Sequence, residues 1–394
     1  MIPRLMPRIP IYNLYKNLNR RLLSRSPLYN LYKNLNPVIG NFAGYQMPMN
    51  FKINSSRDVV CGIRNDYTGI FDISHMGVIN ISNKYNKNDN KNIKTLLESL
   101  FPINLNVLKE NDSKLSLLLN RDGFVVDDLI VSNLSNKYRL IVNSETKHNI
   151  VKMLNNFKDN STRVELHDKV ILSIQGKKSQ QLLEEIFDIN LDNIYFNQNV
   201  EVDINPKYKP IEISRTGYTG EDGFELYCDI EYGQELYEQL IKLRTEKKLV
   251  FGGLIDRDIL RTEAGFCLSG KDFGSNLNIN YLDLNMNFLI GKRRKEQGNF
   301  IGHKHIKNHK YNRYGFTSNK PIRDGDIIYD TKTDTNIGII TSGTKSYNLD
   351  KFVGMGYLDK NIDLENIYVK RNNKILDLSI TNIPFIKHNL YKNI

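Results

Sequence analysis

Along residues 115–131 (LSLLLNRDGFVVDDLIV) two apolar runs are joined by Asn120-Arg121-Asp122-Gly123, a pattern that predicts a β-hairpin. In the second run a period of two places Val125, Asp127 and Leu129 on one face and Val126, Asp128 and Ile130 on the other. Both faces are otherwise apolar, so at least one carboxylate enters an apolar setting. Burying an ionised carboxylate without partners is costly or raises its pKa. The pair is therefore the best candidate in the chain for an acid, a base or a ligand anchor. A carboxylate satisfied by loop amides is the structural alternative.

A second pattern is centred on residues 213–225 (ISRTGYTGEDGFE). Alternation before it (Ile211, Ile213) and within its end (Phe224, Leu226) predicts two strands. Between them Gly217, Gly220 and Gly223 accompany Arg215, Tyr218, Glu221, Asp222 and Glu225. Glycines allow tight turns, so polar groups can converge there. The stretch is either a site or a hairpin with a polar loop.

Elsewhere, strands are expected beyond Gly77, at 138–142 and at 170–175. Helices are expected near 95–100, at 179–187 with Leu182, Leu183 and Ile186 inward, and around Tyr232, Leu236, Leu240 and Leu243. Asn143-Ser144 precedes a helix expected to turn Ile150, Val151, Leu154 and Phe157 to one side. Arg257 and Arg261, four apart, share a helix face near Asp258 and Glu263, which suits a carboxylate clamp or a structural ion-pair network. Residues 37–52, with Met47 and Met49, read as irregular chain packed on a core, and the chain beyond Gly291 reads as β-rich. Strands and helices mix without a βαβ rhythm, so the expected class is α+β.

A length of 394 residues suggests two or three domains. The net charge of +11 suits an anionic ligand, but Lys is spread along the whole chain, so nucleic-acid binding is the weaker reading. No apolar run approaches the roughly 18 residues of a membrane span. Cys61, Cys228 and Cys267 form no CxxC pair, which points to a reducing compartment without a disulfide framework. His303, His305 and His309 lie among lysines without a nearby carboxylate, so no metal is expected. The chain has no P-loop, GxGxxG or GxSxG, which favours a reaction without a covalent enzyme intermediate. No acidic residue precedes Asp58, while arginines punctuate Leu, Ile and Tyr; residues 1–26 read as a targeting presequence or disordered leader. Segments 11–19 and 28–36 are near-identical, and the second is expected to begin the folded protein.

In order, FAGYQMP, GIFDISHMG, DGFVVDDLIV, SIQG, SRTGYTGEDGFE, RDILRTEAGFCLSGKD, IGKRR and TSGTKSYNLDKFVGMGY resemble the aminomethyltransferase family, the T-protein of the glycine cleavage system. The resemblance runs from about residue 27 to the C-terminus. It implies a three-domain, cloverleaf-like arrangement around a central opening that holds tetrahydrofolate as substrate. The implied domains are 27–75 plus 173–285, 76–172, and a β-rich 286–394. It further implies Asp128 as the catalytic residue, with Met47, Ile130, Tyr218, Glu225, Arg257 and Tyr391 toward folate, Tyr391 with a one-residue shift. The implied partner is a lipoyl carrier, the H-protein, with 292–295 a candidate docking patch or a solvated loop. A monomer in the mitochondrion is expected. Tyr45 stands where the family usually has Trp, and Asn280-Tyr281-Leu282-Asp283-Leu284 replaces its Pro-x-Glu-Ala-Gly stretch. The alternatives are a folate-binding relative in iron–sulfur assembly or RNA modification, and the transfer domain of an amine-oxidising flavoenzyme. The intact GYTGEDGFE and Asp127-Asp128 argue against the first, and the lack of a flavin fingerprint against the second.

Overall fold

The computed structural model describes residues 23–86, 89–204, 206–274, 277–305, 309–360, 362, 364–365, 367–371 and 374–392. Most of the expected leader, with the first copy of the duplicated segment, lies outside the described residues. Residues 24–26 are packed onto the rest of the chain: Ser24–Arg25 pairs with Tyr45 and Gln46, and buried Ser26 donates to Asp72. Tyr32, in the second copy, donates to the same carboxylate oxygen, and Ser74 N–H reaches the other at 2.8 Å. Among the described residues neutral donors alone satisfy this buried carboxylate, which fastens the N-terminal segment to the core.

Three larger sheets carry the molecule. The first runs Asn199–Val202, Ile211–Ser214, Gly223–Cys228, Val170–Gln175, Thr68–Asp72, Leu249–Phe251, and only the last pairing is parallel. The second, antiparallel throughout, runs Ser113–Leu119, Val125–Leu134, Lys137–Val142, Gly77–Asn83, Thr162–His167. The third has seven antiparallel strands drawn from residues 311–381, so the C-terminal part is β-rich as expected. The chain leaves the first sheet at Asp72 and enters the second at Gly77. It returns through Val170–Gln175, a strand that crosses the expected boundary at residue 172 and pairs wholly within the first sheet. Apolar side chains seal the sheets together: Leu117 and Val125 share a cluster with Cys267 and Tyr357, and Ile141 shares another with Ile171 and Ile259. This is the mixed α and β architecture that the patterning predicts.

Two local readings are corrected. Residues 37–52 are not irregular: Pro37–Phe42 and Tyr45–Phe51 pair antiparallel across a two-residue turn with positive φ at Ala43 (47°) and Gly44 (83°). That combination matches the twist of a hairpin. Gly40, Pro48 and a bulge at Val38/Ile39 interrupt the alternation that would have announced it. In the helix Lys147–Phe157, Ile150 and Leu154 are buried but Phe157 is 60% exposed, because the helix ends there and its last turn passes the edge of the core.

Candidate active site

The predicted hairpin is present. Asn120 Oδ1 accepts the N–H groups of Asp122 and Phe124, both at 3.0 Å, and Gly123 supplies φ of 81°. Alternation then separates the two carboxylates: Asp127 is fully buried, while Asp128 is half-buried on the opposite face. The neighbouring strand Lys137–Val142 pairs Val142 with Leu129, and this register brings Asn143 beside both acids. Asn143 Nδ2 donates to Asp127 Oδ1 at 2.7 Å and to Asp128 Oδ1 at 2.9 Å. Asp127 also accepts from Thr146 Oγ1 and from the Asp128 N–H. Its partners are thus neutral donors, and its negative charge is felt by Asp128. Burial and the Asp127 charge push Asp128 up to about 7, against the opposing influence of Asn143 and Arg257. A carboxyl near that value can both accept and return a proton at neutral pH.

The stretch 213–225 forms the end of Ile211–Ser214, a loop, and the start of Gly223–Cys228. Its glycines serve a packing need beyond the expected bend. A Cβ at Gly217 would lie 1.9 Å from Gln175 Oε1, and one at Gly223 would lie 2.6 Å from Gln175 Nε2. Buried Gln175 donates to Thr216 O at 3.1 Å and accepts from Thr219 Oγ1 at 2.8 Å, so it pins the loop from within. Gly220 alone requires positive φ, at 79°. Tyr218 donates to Cys267 O and stacks on Phe266 with centroids 5.7 Å apart. Burial raises its hydroxyl pKa, so the phenol stays protonated.

Arg257 projects from the helix Leu254–Glu263, with its guanidinium carbon 4.5 Å from the Tyr218 ring centroid. Among the described residues its N–H groups have no hydrogen-bond partner. It acts electrostatically on both Asp128 and Glu225. Glu225 is 5% exposed; Tyr227 O–H donates to its Oε2 at 2.9 Å, and burial raises its pKa. Asp128, Tyr218, Glu225 and Arg257 therefore converge.

The remaining expectations divide. Ile130 lies on the Asp128 face and packs against a cluster holding Ile259 and Leu260. Met47 is fully buried in the strand Tyr45–Phe51, and the next residues of that strand meet the N-terminus of the Arg257 helix, where a Cβ at Gly253 would lie 2.3 Å from Met49 O. Tyr391 stands elsewhere. Its hydroxyl donates to Asp192 O at 3.1 Å, its ring stacks on Tyr195, and Arg215 lies 4.0 Å above it, which together form a clasp. The C-terminal residue that reaches the aromatic platform is His388, 5.0 Å from Phe266. The 292–295 patch lies in the helix Lys292–Gln297. Arg293 binds Glu98 and Asn104, Arg294 binds the Glu98 carbonyl, and only Lys292 and Lys295 stay exposed. The substituted stretch 280–284 is a structural clasp in which Asp283 accepts from Lys310, Tyr311 and Asn280 N–H groups.

Sequence reasoning missed Asn143, read only as the lead into a helix, and left His75 without a role. His75 packs edge-on to Phe42 at 5.3 Å, and its buried Nδ1 has no partner among the described residues. Burial beside Arg257 and Lys147 lowers its pKa to about 3, so it is neutral. A position just past a strand that pairs with the Asp-Asp strand is the signal that would have singled out Asn143.

Residues 28–294 match the GCVT N-terminal domain family, and residues 312–387 match the glycine cleavage T-protein C-terminal barrel domain. The chain is 33% identical to the aminomethyltransferase of Caldanaerobacter subterraneus subsp. tengcongensis, over 98% of each protein. It is 31% identical to the mitochondrial aminomethyltransferase of Solanum tuberosum, over 89% of this chain and 87% of that one. A crystal structure of the glycine cleavage system aminomethyltransferase T from Bartonella henselae superposes with a TM-score of 0.84 at 27% identity, covering 94% of this chain and all of the other. Matches spanning both the Asp127-Asp128 hairpin and the C-terminal sheet leave one assignment: the chain belongs to the aminomethyltransferase family, the T-protein of the glycine cleavage system.

Proposed function

We propose that the chain transfers the methylene carbon of an S-aminomethyl-dihydrolipoyl carrier, the H-protein, to tetrahydrofolate with release of ammonia, in the space that Asp128, Tyr218, Glu225 and Arg257 face. The observation that carries this reading is their convergence: a carboxyl poised near neutrality, a second buried carboxylate, and an arginine with free donors. The donor set suits a pterin, whose adjacent N–H groups match a carboxylate acceptor and whose flat ring matches an aromatic face. Glu225 accepts such N–H groups through Oε1, which has no partner among the described residues. Tyr218 offers its ring, since its proton is committed to Cys267 O.

When bound, tetrahydrofolate supplies the two amine nitrogens that take up the methylene carbon, and their two hydrogens end on the departing ammonia and on the lipoyl sulfur. Asp128 takes and returns a proton at the amine nitrogens, which its raised pKa favours. Arg257 tempers the negative charge of the site. Holding donor and acceptor in register contributes further. The net charge of +11 suits the folate's anionic tail and an acidic carrier surface.

The address of the enzyme is the mitochondrion in this reading. The acid-free N-terminal segment and the mitochondrial relatives support it, although relatives from bacteria are as similar. Fusion of residues 1–26 to a fluorescent reporter tests it. The activity is tested by isothermal titration with tetrahydrofolate, then by ammonia release from an aminomethylated lipoyl carrier. Folate uptake with folate-dependent ammonia release is expected. Uptake without release overturns the transferase reading in favour of a folate-binding relative.

A further inference from the structure

Behind Glu225 lies a polar chain that reaches into the second sheet. Glu225 and Tyr227 are two apart on one strand, so they share a face, and Tyr227 O–H donates to Glu225 Oε2 at 2.9 Å. Tyr227 is only 2% exposed and stands behind the carboxylate. Its ring is covered by Arg139, whose guanidinium carbon lies 4.1 Å from the centroid. Arg139 belongs to the strand Lys137–Val142 of the second sheet, yet it pairs with Glu212 and donates to Ser214 Oγ and Asn199 Oδ1, both at 2.7 Å, in the first. Thus the tyrosine is clamped on its ring by a fixed cation, and its one hydroxyl proton is given to the carboxylate.

We propose that Tyr227 is a positioning residue for folate recognition: it holds Glu225 by Oε2, so that Oε1 is aimed at the ligand and the charged form of the carboxylate is favoured. The proposal rests on the folate reading of the site given above. The charged and titratable groups facing Glu225 are Arg257 from the helix, Arg139 from the second sheet and Tyr227 from its own strand. Its partners on the flanking strands, Ser173 and Ser214, carry no charge. Both arginines and the Tyr227 hydroxyl favour the carboxylate, while burial opposes it. Removing the hydroxyl removes one donor to the charged form, so Glu225 in Tyr227→Phe protonates at higher pH.

Two measurements decide this. In the ligand-free protein, the infrared carbonyl band of protonated Glu225, identified by its loss in Glu225→Gln, should disappear about one pH unit higher in Tyr227→Phe. With tetrahydrofolate, Tyr227→Phe should raise the Kd by up to about tenfold at pH values below the titration of the carbonyl band, and by a smaller factor above it, where the carboxylate is ionised in both proteins. An unmoved carbonyl band, or a Kd raised by the same factor at every pH, overturns the proposal and leaves Tyr227 a packing residue. Should the wild type take up no folate, the folate reading falls, while the carbonyl titration still shows whether Tyr227 controls Glu225.

Discussion

Two regions of this molecule bury charge in opposite ways. Around the helix Leu254–Glu263 three buried carboxylates of the structural knot meet an arginine: Arg64 joins Glu221 at 2.9 Å and Glu263 at 3.1 Å, and Arg261 joins Asp272 at 2.9 Å. Remaining lone pairs are capped, as where Ser346 and Asn348 donate to Glu263 and Asn389 donates to Glu221. In the site, Asp127 and Asp128 have neutral partners, Glu225 is held by a phenol, and Arg257 has no hydrogen bond among the described residues. Arg257 and Arg261 make the contrast one turn apart on one helix. The knot spends its charges on each other and gains specificity of docking. Leaving charge uncompensated raises pKa values and keeps donors free, which is what proton handling and ligand capture require.

The comparison is broken or sharpened most strongly at Asp128. Asp128→Asn should bind folate yet lose about 10²–10⁴-fold in ammonia release; near-normal turnover would remove Asp128 from the chemistry. The same variant should not lose stability. A folded-state pKa raised to about 7 means that the ionised group opposes folding above the unfolded value, so the unfolding midpoint near pH 8 should rise. That gain should fade below about pH 4, where the carboxyl is protonated in both states. In the knot the sign reverses: Arg64→Leu strands two buried carboxylates and should cost about 3–5 kcal/mol in denaturant unfolding. A loss below 1 kcal/mol, on the order of a surface pair, would erase the distinction. Asp127→Asn removes the like charge, so Asp128 titrates lower and the acid limb of kcat/KM should move down by about one pH unit. The smallest effect belongs to the exposed pairs of Asp350 with Arg57 and Lys345. Asp350→Ala should stay within about 0.5 kcal/mol of wild type.

Local chemistry explains what could be read from the chain alone. The Asn120–Gly123 turn and the alternation at Asp127 and Asp128 were legible because both depend on neighbours in sequence. Which acid goes inward was not, since the choice is made by the strand that pairs alongside. Asn143 escaped for the same reason: its place between the carboxylates comes from the Leu129 and Val142 register. Gly217 and Gly223 advertised a tight loop, but the Gln175 side chain that needs the space lies some forty residues upstream, on the neighbouring strand. Tyr391 was placed by the family resemblance with a one-residue shift, and the structure stacks that residue on Tyr195.

The last turns of the chain also bear on how the enzyme is made. Ile386 N–H bonds Glu263 O at 3.0 Å, and Asn389 N–H bonds Gly220 O at 2.8 Å, so the loop that carries Tyr218 is tied down by the tail. Translation adds about 5–20 residues each second, so the tail leaves the ribosome on the order of ten seconds after that loop. Until then Gly220 lacks its strap and Glu221 lacks Asn389. Vectorial synthesis thus delays completion of the Tyr218 loop until residues 386–389 have been made, and a nascent chain stalled before them holds that loop without these restraints.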